Sequence, residues 1–298
     1  YMLYIIGGIH LEKGRITKLI GGLYTVRDEH NDSHKLKARG KFRHTNESPK
    51  VGDHVMFDSD FIMEVLPRKN NLLRPAVCNV DQAILINSAK DPHFSFNLLD
   101  RFLLLIEHES ITPIIVITKI DLIDKNTLMK LKENMKYYED FYDVYFVSSK
   151  THENTDALRE IFRDKVSVFA GQTGAGKSSL LNALNPAFNL ETNAISKALG
   201  RGKHTTRYSE LLDLFGGLVA DTPGFSKLDF YDIKPEEIPD CFIDFFKLSS
   251  ECKYRGCTHI NEPKCKVKEE VEKGNIIPQR YRNYIMITEE IKPQKVKY

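Results

Sequence analysis

Gly171-Gln172-Thr173-Gly174-Ala175-Gly176-Lys177-Ser178 is the stretch on which the fold turns. It has the spacing G-x-x-x-x-G-K-[ST], follows the apolar run Val166–Ala170 and precedes the helical run Ser179–Leu184. That is the strand–loop–helix setting of a phosphate-binding loop. Glycines let successive backbone N–H groups turn inward around phosphate oxygens, and the helix N-terminus adds positive partial charge. In that role the amides of residues 171–179, Ser179 included, line the loop. Lys177 reaches the β- and γ-phosphates, and the Ser178 hydroxyl ligates Mg²⁺. The competing reading, a chance glycine-rich turn, needs the motif and both flanking elements to coincide.

Working outward, Asp221-Thr-Pro-Gly224 closes a predicted strand over Leu218–Ala220. Asp221 there would hold the Mg²⁺ water shell, and the Gly224 N–H would meet the γ-phosphate. Alone the tetrapeptide is ordinary turn chemistry; paired with the loop it gains weight. Upstream, Thr118-Lys119-Ile120-Asp121 follows the buried run Pro113–Ile117 and resembles the guanine-specificity motif N-K-x-D of GTPases. The Asp121 carboxylate accepts two N–H bonds from the guanine edge, which adenine cannot supply. The Lys119 stem packs along the base. Thr118 stands where Asn is usual, so a hydroxyl must replace the amide that staples the loop. Ser148-Ser149-Lys150, after the predicted strand Val144–Val147, resembles the S-A-K motif whose backbone N–H meets guanine O6. Each short motif is by itself compatible with a plain strand-to-helix turn; their placement after consecutive strands favours guanine over adenine.

The guanine motifs precede the phosphate loop, the reverse of the usual order. The same sheet forms if the chain enters at a different strand, because compact domains have neighbouring termini. This predicts a circularly permuted P-loop GTPase domain over residues 71–230, with strands alternating with helices in a mostly parallel α/β sheet. A helix is expected from a cap at Asn97-Leu-Leu-Asp100, another over Leu128–Tyr137 and a third over Asp156–Phe162. The loop Ile195–Arg207 carries Gly200-Arg-Gly-Lys-His-Thr-Thr-Arg207, in which Thr206, favoured over Thr205, is a candidate second Mg²⁺ ligand. A basic surface loop explains the same residues. Phe225 occupies the position where many GTPases carry a water-orienting Gln. His204 is the nearest polar candidate for that task, its alternative being a solvated loop histidine. Lacking the Gln, the chain is expected to hydrolyse slowly without an activating partner.

Residues 1–70 read as an N-terminal β-barrel, an OB-fold, built from short strands and glycine turns. Gly21-Gly22 is expected to mark a bulge or bend. Lys35, Lys37, Arg39, Lys41 and Arg43 alternate strictly and would share one face of a strand. They suit an RNA backbone, with Tyr24, Phe42 or His44 available for stacking, or equally a solvated edge strand guarded by charge. At the other end, residues 231–298 read as a mainly helical zinc-binding domain. Cys252, Cys257, His259 and Cys265 form a full Cys₃His set for one structural Zn²⁺, with no open coordination position. Reduced, unliganded cysteines are the alternative. Lys253, Tyr254, Arg255, Lys264 and Lys266 make the knuckle basic. Cys78 and Cys241 read as buried small hydrophobes.

Composition bounds the rest. The chain has 298 residues, 41% hydrophobic and 28% charged, with a formal net charge of +2. At about 150 residues per domain this is two or three domains with a real core, not a disordered chain. Nucleic-acid contact must come from local patches, since global charge is nearly balanced. Five cysteines, three of them in one short segment, suit a reduced compartment better than a disulfide framework. No apolar run approaches the ~20 residues of a membrane span, and the opening stretch lacks a basic region before its apolar residues, so no signal peptide is expected.

The combination of barrel, permuted GTPase and Cys₃His knuckle resembles the bacterial ribosome small-subunit-dependent GTPase A family. The matching stretches are Arg74–Asp81, Asn97–Arg101, Gly202-Lys-His-Thr-Thr, Asp221-Thr-Pro-Gly-Phe225 and Cys252–Cys265; residues 1–13 fall outside the likeness. The resemblance implies a cytoplasmic GTPase that binds the small ribosomal subunit and its rRNA, acts late in subunit maturation and is stimulated by it. It also places the water-positioning role on His204. A monomer without membrane attachment, binding GTP and GDP, is expected. Two rivals are a P-loop ATPase or small-molecule kinase, and an RNA-binding module whose nucleotide only gates affinity.

Overall fold

The computed structural model describes residues 4–6, 9–43, 48–73, 75–188, 209–220, 230 and 233–291. The chain forms two compact units. One comprises Tyr1–Gln82, Arg159–Phe169 and Asn193–Gly224; the other comprises Ala83–Leu158, Ala170–Thr192 and Phe225–Tyr298. His204, Thr206, Asp221 and Gly224 lie outside the described residues.

In the first unit β1 (Tyr4–Ile6), β2 (Ile9–Ile20), β3 (Leu23–Asp28), β4 (Ser33–Ala38), β5 (His54–Phe57) and β6 (Phe61–Val65) build the barrel. β2 pairs β3, β3 pairs β4, β4 pairs β6, β6 pairs β5 and β5 returns to β2, so five strands close the barrel; only the β4–β6 pair is parallel. Closure removes the unpaired strand edges that an open sheet would expose. Ile16, Val26, Leu36, Val55, Phe57 and Ile62 fill the interior.

Several sequence expectations are corrected here. Gly21 and Gly22, at φ +56° and +82°, form the two-residue turn of the β2–β3 hairpin, where left-handed backbone matches the strand twist. The register shift sits instead between Ile16 and Lys18. The basic strand is shorter than its alternation predicts. β4 ends at Ala38, and Gly40–Arg43 wind into a 3₁₀ turn, which takes Lys41 and Arg43 off the strand and leaves only Lys35 and Lys37 on its outer face. Arg39, between the two elements, is exposed. Residues 9–13, which the sequence motifs leave outside the likeness, prove to be part of a barrel strand: Glu12 pairs Phe57 and Lys13 pairs Met56.

The chain continues through β7 (Gln82–Ser88), α1 (Phe96–His108), β8 (Thr112–Thr118), α2 (Lys125–Glu139), β9 (Asp143–Phe146), β10 (Val166–Ala170), α3 (Lys177–Leu184), β11 (Ser209–Leu214), β12 (Gly217–Ala220), α4 (Ile243–Ser249), α5 (Lys266–Glu272) and α6 (Pro278–Ile291). β8 and β9 are parallel, with Ile114 opposite Asp143 and Ile117 opposite Phe146. β10 and β12 are parallel as well. β7 and β10 are buried along their whole length, as expected of parallel strands covered on both faces. Asp156–Phe162 is not one helix. It makes two single 3₁₀ turns, Asp156–Leu158 and Glu160–Phe162, bracketed by left-handed residues at Asn154 and Asp164 that turn the chain before a helix can extend.

The cap of α1 is Ser95, whose side chain accepts from the Leu98 N–H at 3.3 Å, and not Asn97. Asp100 is therefore one turn inside the helix, where it is fully buried. Arg280 of α6, 1% exposed, donates to Asp100 at 2.5 Å and to both oxygens of Asp244 at 3.0 and 3.2 Å. Asn283 and Tyr138 donate to Asp100, and Tyr137 to Asp244. Burial alone lowers the Arg280 guanidinium, but the two carboxylates hold it well above its usual value. Around this network Leu104, Phe242, Phe245, Val267, Tyr284 and Ile287 form one apolar cluster that joins α1 to the C-terminal helices. Among the described residues no helix is long and apolar enough to cross a membrane.

Candidate functional site

The loop after β10 has the backbone that the motif requires. Gly171, Gly174 and Gly176 all have positive φ. At Gly171 the reason is also steric, because a Cβ there would lie 2.1 Å from the Ile86 carbonyl oxygen. Any side chain would drive the loop off β7. Gly176 caps α3, so the first turn of that helix, carrying Lys177, Ser178 and Ser179, opens directly from the loop. Gln172, Thr173 and Gly174 are exposed, Ala175 is buried, and Gly176 to Ser179 are half-buried. Lys177 Nζ donates to the loop's own carbonyls, Gly171 O at 2.6 Å and Gln172 O at 2.8 Å.

Burial lowers the Lys177 ammonium to about 8. Phosphate oxygens would restore its charge, so above that pH nucleotide binding takes up a proton and affinity falls; below it the lysine is already charged and affinity is flat. We expect the GTP Kd at pH 8.5 to be about fourfold that at pH 7 by titration calorimetry, a range in which guanine keeps its own proton. A pH-independent Kd would mean that the lysine is charged throughout.

The two segments that resemble guanine motifs lie near this loop although they come earlier in the chain. The Thr118 hydroxyl, at the end of β8, lies 2.5 Å from Ala175 O and 3.2 Å from Asn87 O. A hydroxyl has one proton, so the shorter contact is its hydrogen bond and the staple to the phosphate loop survives the change from an amide. Lys119, left-handed at φ +57°, donates to Gly174 O at 2.8 Å and to Asp91 O. Asp121 accepts from the Ser148 hydroxyl at 2.6 Å, and that hydroxyl in turn accepts from the Thr151 N–H at 3.1 Å. Ser148 is buried, Ser149 half-buried and Lys150 exposed. Thr118–Asp121, Ser148–Lys150 and Gly171–Ser179 are thus gathered at one end of β8, β9 and the loop before α3.

One participant escaped the sequence reading. The β7–α1 connection brings the Asp91 carbonyl to Lys119 and the Pro92 ring within 3.7 Å of a Cβ position at Gly174. The only signal was the turn dipeptide Asp91-Pro92, which marks a loop but not its neighbour.

In the C-terminal helical region the four ligand atoms of Cys252, Cys257, His259 and Cys265 lie within 4.8 Å of one another. A tetrahedral zinc with bonds of about 2.3 Å to sulfur and 2.0–2.1 Å to nitrogen has S···S edges of about 3.8 Å and S···N edges of about 3.6 Å. The observed separations are 3.9 Å for Cys252–Cys265, 3.6 Å for Cys252–His259 Nδ1 and 3.3 Å for His259 Nδ1–Cys265. The donor set and its size therefore fit that ion. Tyr281 and Tyr284 of α6 fix the backbone beside it by donating to His259 O and Thr258 O. Burial opposes ionisation of Glu262, but three donations from Thr258 and Ile260 hold it down to about 2. The basic rim is thinner than its composition suggests, because Lys266 is paired with Glu270 at 2.9 Å.

On the barrel Lys35 and Lys37 face outward, but Tyr24 and Phe42 are buried core residues, and His44 lies outside the described residues. Among the described phenylalanines and tyrosines of the barrel, the ring that reaches solvent is Phe61, 39% exposed and opposite Lys37. Cys78 is more than a packed hydrophobe: its thiol donates to the buried Asp53 at 2.9 Å, and burial raises its pKa.

A model of the RsgA GTPase matches residues 65–231, and one of the RsgA N-terminal domain matches residues 13–61. The small ribosomal subunit biogenesis GTPase RsgA of Bacillus subtilis (strain 168) is 49% identical over 298 residues, spanning 97% of this chain and all of that protein. Its counterpart in Bacillus anthracis is 48% identical over the same shares. Among solved structures, YjeQ from Thermotoga maritima superposes with a TM-score of 0.85 at 38% identity, covering 96% of this chain and 100% of that one. YloQ, a circularly permuted GTPase, superposes with a TM-score of 0.84 at 43% identity, covering 99% and 100%.

Proposed function

This chain belongs to the RsgA GTPase family, and from that premise we propose that it hydrolyses GTP in the cytoplasm while assisting late maturation of the small ribosomal subunit, which stimulates the hydrolysis. The observation that carries the nucleotide assignment is the tether of Thr118 and Lys119 to the carbonyls of Ala175 and Gly174, with Asp121 oriented by Ser148. A base-reading carboxylate is thereby linked to a phosphate-binding loop.

In this reading Asp121 accepts from the two N–H groups of guanine, Lys119 lies along the base, and a backbone N–H of the Ser148–Lys150 turn meets O6. The amides of residues 171–179 and Lys177 hold the phosphates. Ser178 and Thr206 would hold Mg²⁺, with Asp221 on its water shell, and the ion when bound neutralises charge between the β- and γ-phosphates. Gly224 offers its N–H to the γ-phosphate, and His204 orients the attacking water. Residues 1–70, with Lys35, Lys37, Arg39, Lys41 and Arg43, and the knuckle of residues 231–298 contact rRNA on either side of a GTPase domain at 71–230, in a monomer.

The deciding experiment is turnover of GTP against ATP, with and without small ribosomal subunits. GTP should be hydrolysed slowly alone and faster with subunits, and ATP in neither case. GTP that persists with saturating subunits would reduce the chain to a nucleotide-gated RNA binder; equal ATP turnover would make it an ATPase. In the same assay His204→Ala should keep GTP affinity and lose the stimulated component.

The Cys₃His cluster is assigned to one structural Zn²⁺. We expect one zinc per chain by elemental analysis, falling to well under half in Cys265→Ser. Full zinc content in that variant would remove the assignment.

A further inference from the structure

Barrel interiors are filled by the inward residue of each strand pair, and the strand register says which those are. Ile16 pairs Val26 and Gly14 pairs Asp28, so Asp28 continues the inward row of β3. His34 pairs Val26 on β4, and Glu12 pairs Phe57 on β2. Three chemistry-bearing side chains thus occupy inward positions at one mouth of the barrel, just beyond the apolar rows that fill it. Their ligand atoms lie within 4.8 Å of one another.

We propose that Glu12, Asp28 and His34 form a binding site for a divalent transition-metal ion at the mouth of the barrel. Two of the three donors, Asp28 and His34, are already oriented. The Asp28 Oδ1 atom is taken by the His30 and Asp32 N–H groups at 2.8 and 2.9 Å, and Oδ2, on the side of the cluster centre, shares with His34 a hydrogen bond that an ion would replace. Oδ2 lies 2.8 Å from His34 Nε2. Two ligands with bonds of about 2.0–2.2 Å at right angles stand about 3 Å apart, so that edge needs little adjustment. The His34 ring is held by Phe57, with centroids 5.0 Å apart. Glu12, exposed at the rim, closes the third side.

One imidazole and two carboxylates are a borderline donor set, suited to zinc, cobalt, nickel or manganese rather than to the all-oxygen preference of calcium and magnesium. Three protein donors leave positions for water. The ion would neutralise two neighbouring carboxylates and tie together the ends of β2, β3 and β4. The site shares no residue with the nucleotide loop or the Cys₃His knuckle, and the proposal does not rest on the activity.

The test uses the full chain, zinc-loaded and free of nucleotide, titrated with Co²⁺ and followed by proton NMR, because ring protons of a cobalt-bound histidine shift far outside the diamagnetic range. One histidine should show such signals, saturating at one Co²⁺ per chain with zinc content unchanged. His34→Gln should remove them, and Glu12→Gln should weaken Co²⁺ about tenfold or more while the melting curve stays that of the parent. Shifted signals that survive His34→Gln, an affinity unchanged in Glu12→Gln, or no shifted histidine at excess Co²⁺ would each overturn the site.

Discussion

Arg280→Leu should lower the stability of the unit that carries α1, α2, α4 and α6 by about 3–5 kcal/mol, as read from urea unfolding at pH 7. The arginine is the counter-ion of two carboxylates that water does not reach. Leucine approximates the bulk of its stem, so the loss is chiefly electrostatic: Asp100 and Asp244 would be left charged and unpaired in the interior. Burial pushes the Asp100 carboxyl up, and only Arg280 with the donors Asn283 and Tyr138 pull it back. Without the arginine its folded-state pKa rises further above the unfolded value. A carboxyl raised in the folded state costs stability as pH climbs from the unfolded pKa toward the folded one. The deficit should therefore shrink as pH falls from 7 toward 5. Removing all three charges while keeping the acceptors, as Arg280→Leu with Asp100→Asn and Asp244→Asn, should recover part of the loss, since the buried charges go while Tyr137, Tyr138 and Asn283 keep their partners. A single variant within 1 kcal/mol of the parent would show that the two carboxylates do not need their arginine.

Asp121→Asn should weaken GTP by about 10²–10³-fold and leave ATP binding, already poor, where it was. Two hydrogen bonds to a charged acceptor are worth roughly 1.5–3 kcal/mol each, and the amide replaces one acceptor with a donor that opposes the guanine amino group. Xanthine carries a carbonyl where guanine carries that amino group, so XTP should gain as GTP loses. The shape of the loop is retained, because the Ser148 hydroxyl can still donate to the remaining amide oxygen in place of the carboxylate at 2.6 Å. Fluorescent-nucleotide competition with GTP, ATP and XTP reads all three. Parallel losses for every nucleotide would mean that residue 121 shapes the loop and does not read the base.

The features most legible in the sequence were those whose chemistry is local. Gly171–Ser178 carries its whole meaning in eight positions, because backbone amides and a helix start suffice. The Cys₃His set is similarly compact. Thr118 posed a question the sequence could frame but not answer: whether a hydroxyl spans the gap of an amide depends on the distance to Ala175 O, which only folding fixes. What stayed hidden depended on competition between nearby options. Ser95 and Asn97 are both good caps, and the helix chose the one that lets Asp100 reach Arg280. The alternation from Lys35 to Arg43 looks like one strand, yet Gly40 and the following 3₁₀ turn end it. The burial of Tyr24 follows from the barrel register, which the bulge at Ile16–Lys18 hides from the sequence, and that of Phe42 from the 3₁₀ turn that replaces the strand. A buried arginine paired across 180 positions leaves no local trace at all.

Helix α6 brings the last consequence. Tyr281 and Tyr284 hold the backbone of the Cys₃His segment, and Arg280, between their turn and Asp100, is ringed by Tyr137, Tyr138 and Tyr142. The chain has thirteen tyrosines and no tryptophan. Its near-ultraviolet circular dichroism is accordingly shaped by tyrosine, and this one neighbourhood holds five of the thirteen, so a spectropolarimeter would already observe the C-terminal packing preferentially.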